Sequence, residues 1–234
     1  MSIFSLKKLN HLPLFRLLKA LCFTCLLVFL ASAFACGKSV DYFTYVSELR
    51  NNIFLAEADG FSLRIYSVVK EIPYAADGIV RETSARTEIY LLAPDNTQNY
   101  NLQVHIDGKA YGGELSYDNV KSEYYLSFTL DIAAQTEIRC TLTYQNTQVE
   151  FTAKSVLNAD MVAPNAILKS VYAYDSALFE SMTDKYGFKG EIHLRLLYED
   201  APYYYVGVIN RDGNIYAFLV NATTGKVLAK RTPQ

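Results

Sequence analysis

Two-residue alternation of apolar and polar side chains, repeated segment after segment, constrains this chain more than any other feature. Tyr100, Leu102, Val104 and Ile106 alternate with Asn101, Gln103 and His105. The same pattern recurs in Tyr124, Leu126, Phe128 and Leu130, then in Ile138, Cys140, Leu142 and Tyr144, then in Val149, Phe151 and Ala153. Successive side chains of a strand point to opposite faces, so each run predicts a half-buried antiparallel strand. The strands expected are Phe61–Val69, Thr87–Ala93, Tyr100–Ile106, Tyr111–Tyr117, Glu123–Leu130, Glu137–Tyr144 and Gln148–Lys154. Asp107-Gly108, Asp118-Asn119 and Gln145-Asn146-Thr147 supply turns between them.

This organisation predicts a mainly β chain. Residues 61–157 read as an antiparallel β-sandwich of roughly immunoglobulin-like size. The resemblance is architectural only, because the chain has no Trp to complete the Cys–Trp–Cys signature. A long connection from Glu71 to Arg86 is a place where binding could sit. Residues 155–163 mark a boundary. Pro164 suits a helix start, and Ile167, Val171, Tyr174, Leu178 and Met182 form a stripe that predicts one helix over 164–182, closed by Gly187. Strands Glu191–Tyr198, Tyr203–Ile209, Asn214–Val220 and Lys226–Lys230 follow, so 160–234 reads as a small α+β unit with a helix packed on an antiparallel sheet. Before all this, residues 36–60 read as a tether and lead-in. Val46, Leu49 and Ile53 within 38–54 suggest a short helix or irregular segment.

The first 35 residues are of another kind. Lys7, Lys8, Arg16 and Lys19 precede an uncharged run of 16 residues, 20–35, which ends in small side chains. That is the layout of a signal peptide, and the run is short of the roughly 20 residues a spanning helix needs. Ala33-Phe34-Ala35 offers a cleavage site before Cys36. Cleavage there would remove the Cys22-x-x-Cys25 pair, so neither a redox motif nor a zinc clamp is read from it. Of 22 basic and 24 acidic residues, the four basic ones and no acid lie in this leader, so the remainder carries 18 basic against 24 acidic, net −6. That balance argues against nucleic acid as a partner and against anionic lipid bound by charge.

Two resemblances add to this. Ser32-Ala33-Phe34-Ala35-Cys36 resembles a bacterial lipoprotein box, with Ala33 where Leu is preferred. It implies a diacylglycerol on Cys36, which would then be the first mature residue. The expected location is therefore the extracytoplasmic face of the cell membrane, lipid-anchored. Simple secretion is the alternative. The run Pro202–Leu228, with its closing Val220-Asn221-Ala222-Thr223-Thr224-Gly225-Lys226-Val227-Leu228, resembles the PepSY module. Asn221 stands where that module carries Asp. The resemblance covers about a third of the mature chain. It implies a bacterial envelope lipoprotein that binds or restrains a protein partner, such as a secreted protease.

Signs of catalysis are few. His105 and His193 lie opposite the apolar stripes of their strands, which predicts solvent-facing histidines. Cys140 sits on an apolar face, as a core thiol would. There is no H-E-x-x-H, G-x-S-x-G or P-loop motif, and no acidic calcium loop. No catalytic, cofactor or metal residue is assigned, and an enzyme is not expected; a hydrolase is the least favoured reading. The compositional oddity is 19 Tyr with no Trp. Tyr203, Tyr204 and Tyr205 cannot all face inward, so these three are candidate partner-binding residues, with Tyr204 expected on the face opposite its neighbours. The partner is an unidentified envelope protein, or alternatively a glycan or the cell wall bound by exposed tyrosines.

Overall fold

Strand β1 (Val46–Ala58) joins the two halves of the fold. The computed structural model describes residues 40–72 and 79–233, so Cys36 and the leader lie outside the described residues. The expectation of a helix or irregular lead-in over 38–54 is therefore corrected. Among its described residues Tyr42–Tyr45 form a short 3-10 turn, and thirteen residues of strand follow it. The reason lies in two register shifts, between Val46 and Glu48 and between Arg50 and Asn52. Each shift inserts an unpaired residue and moves the apolar set to the other face, which erases the period-two signature. Asp59-Gly60, both at positive φ, then turns the chain into β2 (Phe61–Glu71).

Seven further strands complete the first half: β3 (Thr83–Leu92), β4 (Asn101–Ile106), β5 (Lys109–Glu114), β6 (Ser116–Asp118), β7 (Glu123–Phe128), β8 (Glu137–Tyr144) and β9 (Thr147–Ser155). The expected Tyr111–Tyr117 strand is thus two strands, parted at Leu115. Its N–H turns to the Tyr100 carbonyl at 2.9 Å, and its side chain enters the core. Strands β1, β2, β3, β7 and β6 form one layer, and β5, β4, β8 and β9 the other. Between them lie Leu63, Ile65, Ile89, Leu91, Leu102, Val104, Cys140, Leu142 and Phe151, all buried. Each such side chain contributes about 1.5–3 kcal/mol by leaving water. This half is sandwich-like, as the alternation predicted.

The chain continues through α1 (Pro164–Tyr174) and α2 (Ser176–Ser181), a small hairpin of β10 (Thr183–Asp184) and β11 (Gly187–Phe188), and then β12 (Glu191–Tyr198), β13 (Pro202–Ile209), β14 (Ile215–Asn221) and β15 (Val227–Arg231). The single helix expected over 164–182 is two. Asp175, at φ −146° and ψ 62°, breaks it, and its carboxylate receives the Lys230 ammonium of β15 at 2.5 Å. The break lets Ile167, Leu168 and Val171 from α1 and Leu178 and Phe179 from α2 all reach the interior. They cover a sheet face built from Ile192, Leu194, Leu196, Tyr204, Val206, Val208, Phe218 and Val220. Tyr42, Tyr172, Phe179 and Phe188 close the end of this layer ring against ring.

Residues from Asp41 onward form one compact unit. The sheet order β15-β14-β13-β12-β1-β2-β3-β7-β6 runs without a gap through the strands of 61–157 and of 160–234. One edge of β1 is taken by β2 from Glu48 to Ala58. The other edge is divided: its first part pairs in parallel with β12 (Leu49↔Leu194), and its later part pairs antiparallel with β9 (Phe54↔Ser155). Asn52 stands at the fork and is fully buried. Its amide donates to the Ala133 and Gln135 carbonyls at 3.3 and 3.5 Å. Its carbonyl oxygen accepts from Ile53 N–H and from Ser155 Oγ, both at 2.8 Å.

Candidate functional site

The sandwich's second layer and the helices lie on the same side of this long sheet. Strand parity sets the other face. It presents Tyr205 from β13, His193 and Arg195 from β12, Glu48 and Arg50 from β1, Arg64, Tyr66 and Lys70 from β2, Arg86, Glu88 and Tyr90 from β3, and Tyr125 and Ser127 from β7. Among the described residues no second layer covers it. The sequence chose this composition. Tyr and Arg bury apolar stems against the pleat and keep polar tips outward, which suits a sheet face that stays wet.

Aromatic rings and guanidinium groups are interleaved along it. Tyr66 and Tyr90 are 5.2 Å apart between ring centroids, and Tyr90 and Tyr125 are 5.1 Å apart. The Arg50 guanidinium lies 3.9 Å from the Tyr66 ring centre. Arg64 and Lys121 approach Tyr90 at 5.9 and 5.5 Å, and Arg195 approaches Tyr205 at 5.8 Å. Burial and the neighbouring Glu88 carboxylate raise the Tyr90 phenol above its ordinary range, so it stays protonated and donates to Glu88 at 3.3 Å.

Near the β12–β1 seam the face deepens into a groove of about 510 Å³ lined by Ser47, Glu48, Lys70, Glu71, Arg86, His193 and Arg195, with exposed Ile72 at its margin. Arg195 grips Glu48 by Nε and Nη2 at 2.7 and 2.6 Å. Burial works against the Glu48 charge, but the Arg195 hydrogen bonds and charge outweigh it and hold the carboxyl below its usual range. His193 sits beside this pair, with Nδ1 3.3 Å from Arg195 Nη2. Burial, then the Arg195 charge, lowers its pKa, so its imidazole is neutral near pH 7. The expected solvent-facing histidine is thus corrected for His193. It lies on the predicted face but is half-buried, because Arg195 and Glu48 reach across from the seam. His105 is exposed, with Nε2 2.9 Å from Thr141 Oγ1.

The three tyrosines singled out by sequence divide as alternation requires. Tyr204 points beneath the helices and is 1% exposed; burial pushes its phenol up to about 12. Tyr203 and Tyr205 are half-buried on the open face. Tyr66, Tyr90 and Tyr125, which the sequence reading did not single out, form the longer row. Arg64, two residues before Tyr66 on β2, was the signal within one strand; Tyr90 and Tyr125 join the row through the cross-strand pairs Arg64↔Tyr90 and Tyr90↔Tyr125. Cys140 is buried and its thiol is pushed up to about 12 by burial, so it is a core residue without thiolate character. Lipid attachment at Cys36 lies outside the described residues.

Asn221 organises the closing turn. Its Oδ1 accepts Thr223 N–H at 3.0 Å, Thr224 N–H at 2.8 Å and the Thr224 hydroxyl at 3.0 Å. An amide oxygen does this as a carboxylate would, so the position is a turn-former here. Among the described residues no group of His, Cys, Asp and Glu is placed to hold a metal, and no helix is long and apolar enough to cross a membrane. No family model, curated protein or solved structure matches the chain.

Proposed function

We propose that this is a lipid-anchored, extracytoplasmic binding protein of the bacterial envelope, without catalytic activity, which binds or restrains a protein partner through the open sheet face. The observation that carries this reading is the unlayered face itself, with Tyr66, Tyr90, Tyr125 and Tyr205 interleaved with Arg50, Arg64 and Arg195. Tyr and Arg are the residue types that anchor protein interfaces, because they bury large area with few rotatable bonds and keep hydrogen-bonding tips. The leader and Cys36 support the location, and the Pro202–Leu228 resemblance supports a restraining role toward a secreted protease.

Two experiments test it. Intact mass of the protein taken from its native membrane should show a chain starting at a diacylated Cys36; an unmodified Cys36 would leave secretion, and an uncleaved leader would make the apolar run, not a lipid, the anchor. A photo-cross-linking side chain placed at Tyr125 or Tyr205 should yield one discrete adduct in intact cells, whereas one at Thr152, on the outer layer, should not. Equal labelling from all three positions counts against the face. A protease assay needs the whole chain, because β12 pairs with β1 and residues 160–234 alone would lose that edge.

A second reading, a glycan- or wall-binding module, is favoured by a different place. A groove of about 390 Å³ at the end of the sandwich is lined by Asn96, Gln98, Asn99, Glu114 and Tyr117. Planar amides and an aromatic ring suit sugar hydroxyls and sugar faces. Retention of the protein on insoluble peptidoglycan, lost in Asn99→Ala, would favour this reading over the first.

A further inference from the structure

The charges of the open face do not cancel locally, and the surplus is concentrated. Lys70 pairs with Glu88 at 2.5 Å, Arg195 with Glu48 at 2.6 Å and Arg64 with Glu123 at 2.5 Å. Glu71 accepts the Arg81 N–H at 3.2 Å and lies 3.9 Å from its guanidinium. Glu191 lies one pleat further along β12 and is not part of the groove lining. Two guanidinium groups then remain. Arg50 and Arg86 are each the cross-strand neighbour of Val68, one on either side of it. Their stems help bring Val68 to 1% exposure. Among the described residues neither pairs with a carboxylate.

Both are held in place by something other than an acid. Arg86 gives Nε–H and an Nη2–H to Ser127 Oγ, at 3.1 and 2.8 Å, which fixes the plane of the guanidinium and, among the described residues, leaves its Nη1 donors unspent. Arg50 rests on Tyr66 and gives Nη1 to the Leu196 carbonyl at 3.4 Å, while its Nε has no hydrogen-bond partner among the described residues. Arg86 lines the groove together with Lys70 and Arg195, each of which keeps donors beyond those used in its ion pair. A long surface arginine with no acid partner is normally free to rotate in water. A guanidinium locked by a serine, beside a second one with a buried unbonded nitrogen, is pre-organised for a ligand, since little rotamer entropy remains to be lost.

We infer that this groove binds an oxyanion, a carboxylate or phosphate group carried by the partner, with Arg86 as its principal contact and Lys70 and Arg195 as flanking donors. The inference rests on the open face being the partner surface, and it names the chemistry recognised there. Planar forked donors match a two-oxygen anion, and charge-assisted hydrogen bonds of this kind are about twice as strong as neutral ones. Local surplus positive charge within an otherwise acidic chain also gives an anionic ligand a single place to dock.

The test uses the full chain in detergent, titrated separately with inorganic phosphate and with acetate at constant ionic strength, and followed by backbone amide shifts. Saturable shifts centred on Lys70, Arg86 and Ser127 are expected. Arg86→Gln should weaken the response about tenfold, whereas Arg139→Gln, on the outer layer, should change it less than about twofold. Saturation with phosphate alone identifies a phosphate group, and saturation with acetate alone identifies a carboxylate. Linear shifts without saturation, or equal weakening by Arg139→Gln, would overturn the inference. Ser127→Ala, which keeps Arg86 but frees its plane, should fall between the wild type and Arg86→Gln; an unchanged response would remove Arg86 pre-organisation. If titration fails while the Tyr125 adduct persists, the anion site is wrong and the binding face stands. If the anion binds and no adduct forms at Tyr125 or Tyr205, the partner reading falls instead.

Discussion

Arg195 of β12 and Glu48 of β1 meet in a two-point ion pair, 2.7 and 2.6 Å, across the parallel seam that joins the two halves of the fold. The residues are far apart in the chain, and Leu49↔Leu194 beneath them is fully in register. The pair is partly buried, so losing one partner leaves a charge short of solvent as well as a broken bond.

Glu48→Gln should therefore destabilise the protein by about 2 kcal/mol, and Arg195→Met by a similar amount. The double variant should cost less than the two together, because the second substitution removes the stranded charge. Urea unfolding of the four proteins measures the cycle, and strict additivity would show that the pair is not coupled.

Asn52 predicts a larger loss for its size. Asn52→Ala strips the fork of β1 of both an acceptor and a donor, leaving Ile53 N–H and the Ala133 carbonyl without their side-chain partner. The expected cost is about 2–3 kcal/mol. Amide exchange should quicken along β9 and the 131–136 connection more than along β13 and β14. Uniform acceleration would place the effect elsewhere.

Gly112 and Gly113 give a matched comparison within β5. Gly112 is at φ +145°, and a Cβ there would lie 2.0 Å from the Leu102 carbonyl oxygen; around Gly113 nothing lies within 4 Å. Gly112→Ala should cost about 2–4 kcal/mol, and Gly113→Ala almost nothing. Thermal melts of the two variants separate these outcomes at once.

His193 sets a pH dependence. Its folded pKa lies below the ordinary 6.5 because burial and Arg195 disfavour the imidazolium, while Glu48 and Glu191 only partly offset them. The unfolded chain therefore binds the proton more readily. The stability contributed is present above about pH 6.5 and declines as pH falls through and below that value toward the folded pKa. The slope cannot exceed about 1.4 kcal/mol per pH unit for one group. His193→Gln should flatten stability between pH 7 and 5.5, while leaving the more acidic loss that comes from Glu48, whose folded pKa lies below 4.5. An unchanged slope in His193→Gln would assign the proton to another group.

The strands with clean alternation were legible from residues alone. Glu137–Tyr144 and Glu191–Tyr198 are bounded as the pattern predicts, because each has one wet face and no register shift. β1 was not, because its two bulges scramble the alternation and its neighbours are set by residues about 150 positions away. The Asp59-Gly60 hairpin turn was the signal that would have recovered it. The candidate site was half legible. Tyr205 was picked out by the triple tyrosine, but the row Tyr66–Tyr90–Tyr125 and the Arg50–Val68–Arg86 arrangement come from pairing across strands, which spacing along one strand does not contain.

The divided edge of β1 also governs the order in which this protein can mature. A chain made or exported from its N-terminus presents β1 early, yet half of that edge has no mate until β12, some 140 residues later, has arrived. Long-range pairing of this kind is slow, and an open edge invites pairing with other chains in the meantime. The last fifth of the protein thus acts as the closing step of assembly for the first, and a chain interrupted before Glu191 would remain sticky along Val46–Arg50.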